Sequence, residues 1–260
     1  MLGKLMKYEW KSTWKLLVPA NLLIVVMTFF ACVTVRVDFF EYKSNAVDFA
    51  AVMIILMYIL SIFVAMVGSV IYLIYHFYTS TYGDQGYLLH TLPVDKHHII
   101  IAKVLVSSIW VTISSCLVYA SVLFLFNAEE DIFNDFLSIV KFRVAGVYHD
   151  DFTVFSIIMA LIALVVELLA RVLKVTACIS LGQLSSNHKL LTAIAFYYAI
   201  YIVQQIVNVI YYALLGFIGN RTGTWDFGTS WEYALITGLI YTVVFYLLTW
   251  HVMDKKLNLD

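Results

Sequence analysis

Long apolar runs separated by short polar stretches dominate the chain. Six of them reach roughly the 20 residues a bilayer crossing needs: Leu16–Val35, Phe49–Tyr75, Val104–Phe126, Phe152–Leu181, Leu190–Gly219 and Tyr233–Trp250. The second, third and fifth carry no charge, whereas the fourth contains Glu167, Arg171 and Lys174. Strict alternation of apolar and polar positions is absent, which excludes a β-barrel. Ahead of the first run, Leu2–Leu17 is amphipathic. Lys4, Lys7, Lys11 and Lys15 recur every three or four residues and share one helical face, with Leu2, Leu5, Met6, Leu16 and Leu17 roughly opposite. Trp10 and Trp14 lie at the boundary. The pattern predicts an interfacial helix over 1–17, with Pro19 and Asn21 marking a turn into the bilayer. Glu9 falls on the apolar side, away from the lysines, and calls for a protein partner.

Composition narrows the class. Of 260 residues, 63% are hydrophobic and 13% charged, against about 45–50% and about 25% in an ordinary soluble domain. The predicted fold is all-α: a polytopic membrane protein with six transmembrane helices, forming a single transmembrane domain over 1–260 without repeats or a separating linker. A net charge of −1 argues against a nucleic-acid partner. Cys32, Cys116 and Cys178 are isolated in apolar surroundings and suggest neither disulfides nor a metal site. No cleavable signal peptide is expected. Lys4, Lys7, Lys11, Lys15, Lys96, Lys103, Lys189, Lys255 and Lys256 fall on one side of the membrane, and Arg36, Lys43, Lys141, Arg143 and Arg221 on the other. The excess places both termini in the cytoplasm and makes this a multi-pass protein of the cell membrane.

The segment His76–Lys103 is the most informative loop. Thr79, Ser80 or Thr81 is placed to cap a short helix, Gly83 and Gly86 permit a tight change of direction, Pro93 ends what precedes it, and Asp95 is placed to cap the third span. Tyr87, Leu88, Leu89 and Leu92 form an apolar surface, for either a protein partner or the membrane face. The start LMKYEWK (Leu5–Lys11) and the loop YGDQGYLLHTLPVDKHHIIIAK (Tyr82–Lys103) resemble those of ABC-2 type permeases, the membrane subunits of ABC exporters, especially the short bacterial ones. Asp84, Gly86, Tyr87, Leu88, Thr91, Leu92, Pro93 and Lys103 match the family pattern, and Gln85 replaces its usual glutamate.

The resemblance implies a type V ABC exporter-like fold whose loop 76–103 holds a cytoplasmic coupling helix. Asp84, Gln85, Gly86, Tyr87, Leu88, Thr91, Leu92 and Pro93 would then rest on a separate ATPase subunit that binds ATP and Mg. It also implies a second permease subunit, identical or paralogous, and second and fifth spans near the dimer axis. Independently, the sequence contains no G-x-x-x-x-G-K-[ST] loop, so a P-loop ATPase must be another polypeptide and this chain binds no cofactor of its own.

Polar groups within the spans mark interior or functional faces. Tyr197, Tyr201, Gln204, Gln205, Asn208, Tyr211 and Tyr212 recur along the fifth span, mostly on one face. They suit a translocation surface for amphipathic cargo or interhelical hydrogen bonding. Ser61, Ala65 and Ser69 in the second span suit close helix packing, with cargo contact as the alternative. Glu167 and Arg171 have the spacing of a helical ion pair, with Lys174 beside them. They either pair locally and snorkel inward or make an ion pair to the N-terminal helix or to the ATPase that shifts during transport. Gly216, Gly219, Gly223 and Gly228 predict a break and a short re-entrant helix, with Trp225 and Trp231 at the interface. The function that the resemblance implies is ATP-driven export of a peptide, lipid-like or drug-like cargo, in contact with membrane lipid. The alternatives are a membrane-embedded enzyme or a non-transporting sensor or scaffold subunit. H-E-x-x-H and G-x-S-x-G are both absent, and the histidines suggest no metal site.

Overall fold

A computed structural model describes residues 2–36, 45–83, 86, 95–126, 154–185, 188–222 and 230–255. All secondary structure among them is helical. The elements are α1 (Leu2–Arg36), α2 (Asn45–Phe63), a π-helical turn (Val64–Gly68), α3 (Ser69–Tyr82), α4 (Lys96–Phe126), α5 (Val154–Gly182), α6 (Lys189–Thr222) and α7 (Ser230–Lys255). Five stretches are long and apolar enough to cross a membrane: Leu2–Arg36, Val47–Tyr82, Lys96–Leu125, Lys189–Leu214 and Tyr233–Asp254. The expected fourth span is present as the helix α5, which carries Glu167, Arg171 and Lys174.

Two expectations about helix ends are corrected. The chain does not turn at Pro19 and Asn21, because α1 runs unbroken from Leu2 to Arg36. One buried stripe explains the continuity: Glu9, Thr13, Leu17, Asn21, Ile24, Thr28, Ala31 and Thr34 follow one another at helical spacing. Pro19 removes only the donor to the Lys15 carbonyl, a loss that long apolar helices tolerate. Asn21 donates back to the Leu17 carbonyl at 2.9 Å instead of initiating a turn. Likewise α6 does not break at Gly216 or Gly219 but continues to Thr222. Residues 223–229, with Trp225 and two of the glycines, lie outside the described residues.

The chain divides into two units. The smaller covers Met6–His76 and Ile109–Gly146. Ile24 of α1, Ala65 of the π turn and Val118 of α4 form its buried cluster. Several hydroxyls in these apolar helices are satisfied locally. Thr13 donates to the Glu9 carbonyl at 3.0 Å and Thr28 to the Ile24 carbonyl at 2.6 Å. Because Ser121 donates to the Val118 carbonyl, its oxygen is left to accept from the Tyr58 hydroxyl at 3.3 Å. The unsuited Glu9 is resolved here: it is buried, and its Oε2 lies 3.0 Å from His76 Nε2.

The larger unit covers Met1–Leu5, Phe77–Ser108 and Val147–Asp260. Ile100 and Val104 of α4, Leu173 and Ala177 of α5, and Phe245 and Met253 of α7 form its core. Lipid gives apolar helices no hydrophobic reason to associate, so close backbone approach and polar contacts must hold them. The sequence supplies both. Ala163, Ala170 and Ala177 recur at heptad spacing on α5 and are all buried. A Cβ on Gly238 of α7 would lie 3.0 Å from Val166 Cγ1 of α5, and one on Gly182 only 2.6 Å from Ala193 Cβ of α6.

Candidate functional site

The site is built on α5 and α6 within the larger unit. Leu173 and Ala177 turn one face of α5 into the core, and the same face carries Lys174 inward until it is only 8% exposed. Its ammonium donates to Gln204 Oε1 at 3.0 Å. It also lies 4.7 Å from the ring centre of Tyr197 and 5.8 Å from that of Tyr201. Both rings keep an outer edge exposed. Residues 197, 201 and 204 lie one turn apart along one edge of α6, so three polar residues read from one stripe converge on one cation.

Further along α6 the stripe makes a second contact. The Tyr233 hydroxyl of α7 donates to Asn208 Oδ1. The Tyr233 ring stacks on Tyr211 with centroids 3.8 Å apart. The structure therefore brings Tyr197, Tyr201 and Gln204 together around Lys174, and Asn208 and Tyr211 around Tyr233. Tyr212 is half-exposed and sets its ring 6.1 Å from that of Tyr233, whereas Gln205 is exposed on α6. Not one residue in the apolar stretch of α6 is buried within the chain.

The other intramembrane charges pair locally. Arg171 Nη2 donates to Glu167 Oε1 at 2.7 Å, one turn back on the same helix, and both side chains are exposed. This is the (i, i+4) pair expected from the spacing. Lys174 does not share it.

Ser61 and Ser69 lie in the smaller unit and are both buried. Ser61 donates to the Tyr58 carbonyl at 2.7 Å, and between them Ala65 packs with Ile24 and Val118. This arrangement suits helix packing. Ser69 Oγ has no hydrogen-bond partner among the described residues. Removing an unpaired buried hydroxyl costs little. Ser69→Ala is accordingly expected to raise stability or to change it by less than about 0.5 kcal/mol, read as the thermal midpoint of the purified protein. A clear drop would show that the hydroxyl is engaged.

The loop resembling a coupling segment is described at its two ends. Asp84, Gln85, Tyr87, Leu88, Thr91, Leu92 and Pro93 lie outside the described residues. Thr79, Ser80 and Thr81 do not cap a new helix, because α3 runs through them to Tyr82. The turn after it needs glycine. A Cβ on Gly83 would stand 2.6 Å from the Thr79 carbonyl oxygen, and one on Gly86 would collide with that of Thr81. The Gly86 amide donates to the Gly83 carbonyl at 2.7 Å.

Both ends of the loop are tied to α5 and α7. Ser180 of α5 gives its proton to the Thr176 carbonyl, so the Tyr82 hydroxyl donates to Ser180 Oγ at 2.6 Å. Lys103 is buried and donates to Ser80 at 2.7 Å. After the loop, Lys96 donates to Asp254 Oδ1 at 3.0 Å. His97 Nδ1 lies 2.6 Å from the Tyr246 hydroxyl, and its ring stacks 5.1 Å from that of Trp250. Asp95 stands directly before α4, its carboxylate 3.7 Å from His98.

Among the described residues there is no group of three His, Cys, Asp or Glu side chains placed to hold a metal. No protein-family model, curated protein or solved structure matches the chain. Sequence reasoning missed Tyr233, Tyr82, Ser180, His97 and Tyr246. Each is an ordinary aromatic or polar residue until a distant helix supplies its partner. The one available signal was the pair of gaps in the α6 stripe at Gln204 and Asn208, amides that need a donor from elsewhere.

Proposed function

We propose that the chain is the permease subunit of an ATP-driven exporter of the ABC-2 type, with α5 as a sixth crossing and both termini in the cytoplasm. A separate ATPase subunit would bind ATP and Mg and press on the loop 76–103. The observation that carries this reading is the double role of α5. Ser180 receives Tyr82 from the loop's first end, and Lys174, six residues earlier, meets the α6 stripe. The two points are about 9 Å apart along one helix. A displacement of the loop end is thereby delivered to the stripe through a rigid element.

The chain's own residues supply binding and transmission. Tyr197, Tyr201 and Gln204 present rings and an amide to an amphipathic cargo, while Lys96 and His97 hold the second loop end against α7. The outward Gln205 is expensive against lipid, and a second permease subunit on α6 would cover it.

Co-purification tests the reading. The tagged full-length chain, isolated from its native membrane, is expected to recover a P-loop ATPase, and Tyr87→Ala is expected to reduce that recovery severalfold. The reading fails if no P-loop protein is recovered and Tyr87→Ala leaves the bound set unchanged. As a second arm, Glu167→Gln separates a local ion pair from a coupling one. Because Arg171 already holds Glu167 on one helix, cargo-stimulated ATP hydrolysis is expected to survive it.

A further inference from the structure

Among the described residues, Lys174 is a buried cation without an anion. Its ammonium has three donors, and the structure gives it one neutral amide acceptor and two ring faces. No carboxylate pairs with it among the described residues. The sequence explains why. α6 carries no charge from Leu190 to Gly219, and α7 none from Tyr233 to Trp250. The one acid in the membrane stretch of α5, Glu167, is taken by Arg171 at 2.7 Å. The α5 charges therefore sum to one uncompensated positive charge, and it is centred on Lys174. Buried charges are held by opposite charges, and an ionisable group at membrane depth marks a functional site.

We infer that Lys174, with Tyr197, Tyr201 and Gln204, is a binding site for the anionic head of a single-chain amphiphile, a carboxylate or a phosphate. Charge supplies the first half of the argument. An anion at Nζ uses the donors that Gln204 leaves free and completes a charge-assisted hydrogen bond. Access supplies the second. Tyr197 is 37% exposed and Tyr201 45%, so the rings form an apolar doorway from the surface of α6 to the ammonium. The exposed aliphatic side chains Leu190 and Ile194, on the same side of α6, continue that surface for a hydrocarbon tail. A cationic amphiphile would meet Arg171 and Lys174 and be repelled. As a statement about cargo this rests on the exporter reading; as a statement about binding it does not.

The test uses the purified full-length chain in a neutral maltoside detergent, with binding read as a saturable thermal shift. The probes share a twelve-carbon tail: laurate, monododecyl phosphate, dodecanol and dodecyltrimethylammonium. At least one anion is expected to bind about tenfold or more tightly than the alcohol, one charge-assisted contact's worth, and the ammonium probe more weakly still. Binding of the phosphate alone identifies a lipid-type headgroup; binding of laurate as well identifies carboxylate amphiphiles. Lys174→Gln is expected to erase the preference and Lys174→Arg to keep it. Equal affinity for all four probes, or an unchanged preference in Lys174→Gln, overturns the inference. If Lys174→Gln does not fold, the wild-type series decides alone. No ATPase enters the assay, so failure here leaves the co-purification result standing, and failure there leaves this one standing.

Discussion

Gly182→Val is expected to remove most of the folded, monodisperse protein, and Gly182→Ala to lower its stability by about 1–3 kcal/mol. The reason is the atoms that a new Cβ would meet. Ala193 Cβ lies 2.6 Å away, the Lys189 carbonyl oxygen 2.7 Å and Ala193 Cα 3.0 Å. None is the end of a flexible side chain, so no rotamer change relieves the overlap, and α5 and α6 must separate. The chain gives them little room, since α5 ends at Gly182 and α6 begins at Lys189. The turn between them is closed by Leu184 donating to the Leu181 carbonyl at 3.1 Å and Ser185 to that of Gly182 at 3.3 Å. Ala193→Gly should rescue Gly182→Ala in part, because it removes the Cβ–Cβ overlap and leaves the one with Lys189. A double-mutant cycle on thermal midpoints checks this as a non-additive term. Purely additive losses, or a harmless Gly182→Ala, would mean that the two helices do not need this approach. The two helices that meet here also carry Lys174 and Gln204, so a surviving Gly182→Ala protein should also bind anionic amphiphiles less well.

The helices were legible because bilayer-length apolar runs are a property of single segments. Their true extents were less so. Pro19 with Asn21 reads locally as a turn, but the stripe from Glu9 to Thr34 crosses it at unbroken helical spacing, and packing along a whole face outweighs one missing donor. Glu9 was legible as a residue needing a partner, since a carboxylate on an apolar face announces a cost. That the partner is His76 was not, because nothing in a sequence measures the distance from α1 to α3. The candidate site divides the same way. Residues 197, 201, 204, 208 and 211 share one face by periodicity alone. Lys174 was expected to go with Glu167 and Arg171, its neighbours in sequence, and it goes instead to Gln204 on the next helix. Three positions offset it from Arg171 by only about 60° around the helix, and the edge between the exposed and the buried surface of α5 falls between the two.

That limit is sharpest at Trp110, an unremarked residue in a charge-free span, whose replacement by alanine is expected to destabilise the protein by about 3–5 kcal/mol. Trp110 of α4 is 4% exposed. Its ring stacks on Trp10 of α1 with centroids 4.6 Å apart and an interplanar angle of 22°. Its indole N–H donates to Thr13 Oγ1 at 3.0 Å. Alanine removes the ring, the stack and the donor together and leaves a cavity between α1 and α4. The contributions can be separated. Trp110→Phe keeps an aromatic surface against Trp10 and loses the donor. Thr13 still gives its own proton to the Glu9 carbonyl at 3.0 Å, so only an acceptor lone pair goes unused, and the cost of the lost bond is about 1 kcal/mol. Thr13→Val reverses the case: it leaves the buried indole N–H without its acceptor, at about 1–3 kcal/mol. The expected order of thermal midpoints is wild type, Trp110→Phe, Thr13→Val, Trp110→Ala. Were Trp110→Phe as damaging as Trp110→Ala, the hydrogen bond and not the stack would hold α4 to α1. Were both harmless, this contact would hold neither helix.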